Sequence, residues 1–225
     1  MTVKNVLSIA GTDPTGGAGI HADLKAFSAM GAYGMAAITA VVAQNTRGVR
    51  SFMPLDPSFV GEQIDAVFDD VRVDAVKIGM VANAAIAEVI AERLQYHEAE
   101  TVVLDPVMVA KSGDYLLAPD AVSAVRDFLV PRATILTPNL PEAAVLAGAS
   151  NAIANVDQMR ELLPALRTLG APWVLLKGGH LPGGTSVDIL TGATTVELSA
   201  ARVDTNSDHG TGCTLSAAIA ALVPH

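Results

Sequence analysis

The sequence has a single cysteine, few aromatic residues and no apolar run long enough to cross a bilayer. The lone Cys213 excludes a disulfide within the chain and is typical of a reducing compartment. Basic residues are also scarce: 14 lysines and arginines oppose 23 aspartates and glutamates, which gives a net charge of −9. A nucleic-acid-binding surface is therefore not expected. We likewise expect no membrane segment, no signal peptide and a cytoplasmic location.

Short apolar runs alternate with helical patterns along the chain. Strands are predicted at 6–10, 36–42, 75–78, 101–104, 134–136 and 173–176, and helices at 19–30, 57–70, 84–95, 119–128, 141–146 and 156–169. Most of the strands are apolar on both faces, as a parallel sheet covered by helices requires. The runs 186–190 and 194–198 flank Gly192 and predict an antiparallel hairpin at one edge. We therefore predict one doubly wound α/β domain over residues 1–225, with a mostly parallel sheet flanked by helices.

Near the end of the chain, a polar run passes through a glycine turn into a helical stretch. The turn consists of Gly210, Thr211 and Gly212. Its glycines let successive N–H groups point at one spot, and the helix N-terminus behind them adds about half a positive charge. This predicts an anion hole with Cys213 at its mouth. Because a helix N-terminus lowers a thiol pKa, we predict that Cys213 is partly ionised and accepts a proton from a substrate hydroxyl. His209, just before the turn, is the rival base.

A glycine-rich loop, residues 11–23, follows the first strand. Its Gly-x-Gly-x-x-Ala pattern resembles a dinucleotide fingerprint, but the acidic residue about 20 positions later is missing, and no Walker A lysine follows. We favour an open backbone on which a small substrate lies, with Asp23 one helical turn inside; the alternative is a flexible turn. Gln44, after the second strand, offers both a donor and an acceptor to a ring bearing an amine beside a ring nitrogen. The alternative for Gln44 is a surface amide.

Further polar residues follow later strands, at the sheet edge where ligands bind in α/β proteins. Asp105 ends an apolar run and is placed to hold a magnesium-bound water. Asn139 and Glu142 fit a capped helix start and would face the same crevice, where a magnesium–phosphate group can use them. Lys111 and Lys177 are predicted phosphate contacts, the first within a lid loop. For each lysine the alternative is a solvated side chain.

Taken in order, these segments resemble the ribokinase superfamily and, within it, the bacterial hydroxymethylpyrimidine/phosphomethylpyrimidine kinases. The resemblance covers essentially the whole chain and is carried by residues 10–25, 42–46, 77–80, 105–108, 137–142, 177–180 and 209–214. It implies a ribokinase-like fold and an ATP- and Mg²⁺-dependent phosphorylation of 4-amino-5-hydroxymethyl-2-methylpyrimidine, then of its monophosphate to the pyrophosphate. It also implies a homodimer and further helices after the anion-hole helix.

The resemblance implies roles for individual residues. Catalysis falls to Cys213 with the anion-hole turn Gly210, Thr211 and Gly212. Substrate binding falls to Gln44, with Gly11, Ala18, Met80 and Val107 as the pocket wall, and the loop and turn patterns add Asp23 and His209. Nucleotide binding falls to Asp105, Asn139, Glu142 and Lys177, to which we add Lys111; Asp105 and Glu142 would hold Mg²⁺ through water.

Two other functions remain open from the sequence. One is a pyridoxal kinase of the same fold, which Gln44 disfavours because its amide suits an aminopyrimidine edge better than a pyridine aldehyde. The other is a non-catalytic protein that binds a pyrimidine.

Overall fold

The computed structural model describes residues 2–108, 119–149, 151–205 and 207–225. Its strands are β1 (Asn5–Ala10), β2 (Tyr33–Ile38), β3 (Ala40–Asn45), β4 (Gly48–Pro54), β5 (Ala75–Ile78), β6 (Val102–Leu104), β7 (Ile135–Leu136), β8 (Trp173–Leu176), β9 (Thr185–Thr191) and β10 (Thr195–Ala201). Its helices are α1 (Gly19–Ala29), α2 (Pro57–Asp70), α3 (Ala84–Tyr96), α4 (Pro119–Ala124, continued by helical turns to Arg132), α5 (Leu140–Ala147), α6 (Val156–Arg167) and α7 (Thr211–Leu222). Among the helices described, none is long and apolar enough to span a bilayer.

Across the described residues, eight strands form one sheet in the order β10-β9-β8-β7-β6-β5-β1-β2. The strands from β8 to β2 in this order are all parallel. At the other edge, β9 and β10 form the antiparallel hairpin. The predicted mostly parallel sheet with its edge hairpin is therefore confirmed.

The alternation of side chains along β1 shows how the helices cover the two faces of the sheet. Leu7 and Ile9 join the core cluster that includes α2 and α3 on one face. Val6 points the other way and packs with Phe27 of α1 and Ala217 of α7. Polar side chains that share the face of Val6 therefore lie beneath α1 and α7.

The predicted second strand, residues 36–42, is wrong in its extent. The structure divides it at Thr39 into β2, which pairs with β1, and β3, which pairs with the unpredicted strand β4 in a separate antiparallel ribbon. Thr39 is buried, its hydroxyl donates to the Met80 carbonyl at 2.6 Å, and its N–H bonds the Ala10 carbonyl. These bonds hold the chain where it leaves the main sheet.

Side-chain caps begin several of the helices by accepting first-turn N–H groups. Asn83 accepts from the N–H of Ile86 at the start of α3, and Asn155 accepts from that of Gln158 at the start of α6. Helix α7 differs, because its N-cap is Gly210 and no side-chain cap is present there in the described chain. Its first N–H groups are thus left for another acceptor.

Candidate active site

The carboxyl ends of the parallel strands bring the predicted site residues to one edge of the sheet. Gly11 follows β1, Met80 follows β5, Asp105 follows β6 and Lys177 follows β8. The N-terminus of α7 lies over the same edge, since α7 packs on β1, β5 and β6. The sequence prediction of a common crevice agrees with this arrangement.

The turn before α7 is held against the glycine-rich loop after β1. Gly210 has φ +76°, and a Cβ there would overlap the Gly17 carbonyl, so only glycine fits. Thr214 N–H is the first to bond within the helix, to the Gly210 carbonyl. Helix geometry leaves the N–H groups of Gly212 and Cys213 without an intrahelical acceptor. These groups and the helix dipole suit a phosphate.

A lysine supplies full positive charge beside this turn. A Cβ at Gly212 would lie 3.1 Å from Lys177 Nζ, so the ammonium is adjacent to the turn. The same Nζ lies 2.9 Å from Asp105 Oδ1. Burial opposes the charged form of Lys177, but the carboxylates of Asp105 and Glu142 outweigh it and raise its pKa. Lys177 is therefore a cation at neutral pH.

Asp105 is the centre of a buried polar cluster. It accepts from Lys177 Nζ, from Ser216 Oγ at 3.1 Å and from Thr137 Oγ1 at 3.3 Å. Burial alone would raise the pKa of Asp105, but the charges of Lys177 and Lys77 outweigh burial and lower it. Asp105 is thus ionised.

Asn139 and Glu142 form the predicted capping box at the start of α5. Glu142 Oε2 accepts from Asn139 N–H at 2.8 Å, and Asn139 Oδ1 accepts from Glu142 N–H at 2.9 Å. Burial, together with the negative charge of Asp105, raises the pKa of Glu142 to about 8. A pair of carboxylates that oppose each other's ionisation fits a divalent cation bound with water and phosphate ligands. The described residues contain no cluster of three or more ionisable side chains that could hold a metal by themselves.

The predicted pyrimidine pocket is assembled from separate segments. A Cβ at Gly11 would lie 3.3 Å from Met80 Sδ and 3.4 Å from Val42 Cγ2, so these residues share one wall. Gln44 follows a register shift between β3 and β4, and its Nε2 donates to the Thr12 carbonyl at 3.4 Å. The shift is of the kind that re-aims a side chain at a functional site.

Two further residues predicted to form the pocket wall lie at the same edge. Ala18 contacts the Gly210 turn, since a Cβ at Gly210 would lie 3.2 Å from its Cα. Val107 follows β6 and packs, partly buried, against the core.

Cys213 is partly buried and lies where the N-termini of α1 and α7 meet, with Gly19 N–H donating to its sulfur. The prediction of a lowered thiol pKa is wrong. Burial raises the pKa of Cys213 to about 11, and the carboxylates of Asp105 and Asp23 add to this while the Lys77 ammonium opposes it. The helix N-terminus lowers the thiol pKa by less than burial and the two carboxylates raise it. The thiol is therefore mostly protonated at neutral pH.

His209 and Asp23 are each held by a partner from another part of the chain. His209 Nε2 is 2.8 Å from Asp13 Oδ2, which ties the anion-hole turn to the loop after β1. Asp23 is fully buried, bonded to Lys77 and Ser8, so the prediction that it faces the substrate is wrong. The Lys77 ammonium and the Ser8 hydroxyl hold this carboxylate inside the protein beneath α1. The predicted lid residue Lys111 lies outside the described residues.

A model of the phosphomethylpyrimidine kinase family matches residues 13–225 of this chain. The chain belongs to that family. It is 54% identical over 221 residues to a hydroxymethylpyrimidine/phosphomethylpyrimidine kinase of Escherichia coli K12, covering 98% of this chain and 83% of that protein. The family predicted from the sequence is thus confirmed.

Solved structures are similar over the whole fold. A phosphomethylpyrimidine kinase of Clostridium difficile 630 gives a TM-score of 0.85 at 45% identity, covering 98% of this chain and 90% of that one. A pyridoxal kinase of Staphylococcus aureus, in complex with AMP-PCP and pyridoxal, gives a TM-score of 0.90 at 32% identity, covering 100% and 81%. These similarities confirm the predicted ribokinase-like fold class.

Within this kinase fold, the sequence patterns assigned no role to Lys77 or Ser216. Both are fully buried, beneath the turn at residues 210–212. The sequence could have revealed Lys77, because a lysine inside a short apolar strand has to find a buried partner. The sequence could not have revealed Ser216, because its partner Asp105 is 111 residues away in the chain.

Proposed function

We propose that this chain is an ATP-dependent kinase that phosphorylates 4-amino-5-hydroxymethyl-2-methylpyrimidine and then converts the monophosphate to the pyrophosphate, in thiamine biosynthesis. The observation that carries the proposal is the 54% identity, over 98% of the chain, to a kinase of that name. The convergence of Lys177, Asp105 and the uncapped α7 N-terminus on one edge of the sheet supports it. The chain would act as one domain over residues 1–225.

The pyrimidine would lie on the open backbone of Gly11, against Met80 and Val107, with Ala18 closing the wall. Gln44 would bond the amine and the adjacent ring nitrogen through its donor and acceptor. This orientation would direct the hydroxymethyl group toward the α7 N-terminus and Cys213. Holding alcohol and phosphate in one orientation supplies much of the rate, because phosphoryl transfer has a loose transition state.

In the transfer, the alcohol oxygen forms a bond to the γ-phosphorus of ATP while the bond from that phosphorus to ADP breaks. The N–H groups of Gly212 and Cys213 and the Lys177 ammonium stabilise the charge on the migrating group. The alcohol proton passes to the Cys213 thiolate. Asp105 and Glu142 would hold Mg²⁺ through water, with Asn139 fixing Glu142, and the ion would neutralise phosphate charge.

The test is an assay of ADP release with the alcohol and, separately, with its monophosphate. Because the raised pKa leaves little thiolate at neutral pH, the turnover of the wild type should rise with pH through the alkaline range. Cys213→Ala should lower kcat by about a hundredfold or more, with little change in KM, and should lose that rise. Near-normal turnover in this variant would transfer the role of base to His209 or to the substrate.

Two alternatives give different results in the same experiment. A pyridoxal kinase would show the higher kcat/KM with pyridoxal, a possibility kept open by the similarity to the S. aureus pyridoxal kinase. A non-catalytic protein would bind the pyrimidine in calorimetry without releasing ADP. We further propose a homodimer located in the cytoplasm, which sedimentation and cell fractionation would test.

A further inference from the structure

A completely buried ion pair lies below the anion-hole turn at residues 210–212. Lys77 Nζ is 3.0 Å from Asp23 Oδ1 and 2.9 Å from Asp23 Oδ2, and both side chains are fully buried. Ser8 Oγ donates to the same carboxylate at 2.6 Å. Every charge of the pair therefore has a partner.

Strand register places the pair on the face of the sheet that α1 and α7 cover. Ser8 lies directly opposite Lys77 in the β1–β5 ladder, on the face covered by α1 and α7. A Cβ at Gly79 would lie 2.9 Å from Lys77 Nζ, so the side chain extends along β5 toward the carboxyl edge. Glycine at position 79 leaves the space that the ammonium occupies.

Cys213 lies within the field of this pair. In the described part of the chain, the ionisable groups that act on its thiol are Lys77 from β5, Asp23 from α1, Asp105 after β6 and Lys177 after β8. Lys77 is the strongest of the groups that favour the thiolate. Burial opposes its charge, but Asp23 outweighs burial and raises the pKa of Lys77, so the ammonium is permanent.

A buried ion pair is by itself weak evidence of a contribution to stability. A buried ion pair often contributes less to folding than well-packed apolar side chains of the same volume, because both charges lose their hydration. Val6, Ala75 and Phe27 belong to an apolar cluster on the same face of the sheet. A buried charge that acts on the ionisation of a predicted site residue points to a role in that site.

We propose that Lys77, anchored by Asp23 and Ser8, is a positioning residue whose fixed charge stabilises the thiolate of Cys213. Its role in catalysis rests on the proposed function, in which that thiolate accepts the alcohol proton. Asp23 has the opposite effect on the thiolate, and its own function is to hold the ammonium in place.

The chain has one cysteine, so thiol chemistry reports on Cys213 alone. We would measure the rate of alkylation by iodoacetamide against pH, without substrates. Lys77→Met should raise the thiol pKa by a unit or more, which lowers the rate at pH 8 about tenfold. Asp23→Asn removes the counter-charge that keeps the buried Lys77 protonated, so it should also slow alkylation, whereas Lys77→Arg should stay close to the wild type.

The direction of the change separates this role from a structural one, because the proposal predicts slower alkylation in both Lys77→Met and Asp23→Asn. A merely destabilised protein would expose the thiol and speed alkylation in both variants. Phe27→Leu, which loosens α1 without changing any charge, serves as that control, and thermal unfolding would show which variants are folded at the assay temperature.

Equal thiol pKa values in folded Lys77→Met and wild type would overturn the proposal. Should Lys77→Met not fold, Asp23→Asn decides: a thiol pKa that is not higher than in both wild type and Phe27→Leu overturns it. Because no kinase step is measured, failure here leaves the proposed kinase activity intact. Conversely, absence of kinase activity would leave the thiol result standing.

Discussion

At the scale of single residues, the site depends on polar atoms whose partners are far away in sequence. Gln44 donates to Thr12, and His209 bonds Asp13 across 196 positions. Each bond fixes the orientation of a side chain that, from the sequence alone, could equally point to solvent. Substitution of either side chain tests what its bond contributes.

Gln44→Met should shift substrate preference toward pyridoxal. Methionine has similar length but neither donor nor acceptor, so kcat/KM for the aminopyrimidine should fall about tenfold to a hundredfold, with a smaller change for pyridoxal. Kinetics with both substrates would measure this. Gln95→Met, the same substitution at an exposed position on α3, is the matched control. An unchanged ratio would remove Gln44 as the discriminating residue.

His209→Gln and His209→Ala distinguish a positioning role from a base role. Glutamine can still donate to Asp13, so kcat should stay within about tenfold of the wild type, whereas alanine should lose about tenfold or more by freeing the turn. Steady-state kinetics of both variants would test this. A loss of a hundredfold or more in His209→Gln would instead identify His209 as the base.

At the scale of elements, helix starts position the site and also contribute to stability. Helix α3 begins just after its N-cap Asn83, three residues beyond the pocket residue Met80, and Asn83 Oδ1 accepts from Ile86 N–H at 2.9 Å. The cap therefore fixes where the chain leaves β5. The β3–β4 ribbon, which presents Gln44, shows the same dependence of a site residue on local backbone geometry.

Asn83→Ala should lower the free energy of unfolding by about 1 kcal/mol, because the first turn of α3 loses an acceptor. Urea unfolding followed by circular dichroism would measure it. Asn83→Asp keeps the acceptor and should stay near the wild type. Equal losses in both variants would mean that the cap is not the source of the effect.

At the scale of the whole molecule, an acidic chain concentrates positive charge at one place. Lys77 and Lys177 come together under α7 despite a net charge of −9, and Asp23 and Asp105 neutralise them.

This cluster links folding to pH through Cys213. Its folded pKa, about 11, exceeds the ordinary value of 9.0, so the folded state holds its proton more tightly. That stabilisation is complete below pH 9 and is lost as the pH rises through 11.

Cys213→Ala should therefore lose less stability than the wild type between about pH 9 and pH 11. The difference in slope should be at most about 1.4 kcal/mol per pH unit, the limit for one proton. Urea unfolding of both proteins at several pH values would measure it. Parallel curves across this range would show that the thiol does not retain its proton on folding.

The sequence by itself determined the alternation of strands and helices, the edge hairpin and the positions of polar residues at strand ends, because these depend on local periodicity and chain connectivity. It also identified the family through its ordered motifs. Only the tertiary structure decided the protonation of Cys213, the burial of Asp23, the His209–Asp13 bond and the separate β3–β4 ribbon. The reason is physical: a pKa or a hydrogen bond depends on groups brought together in space, and residues 23, 77, 105 and 213 meet only after the sheet has formed.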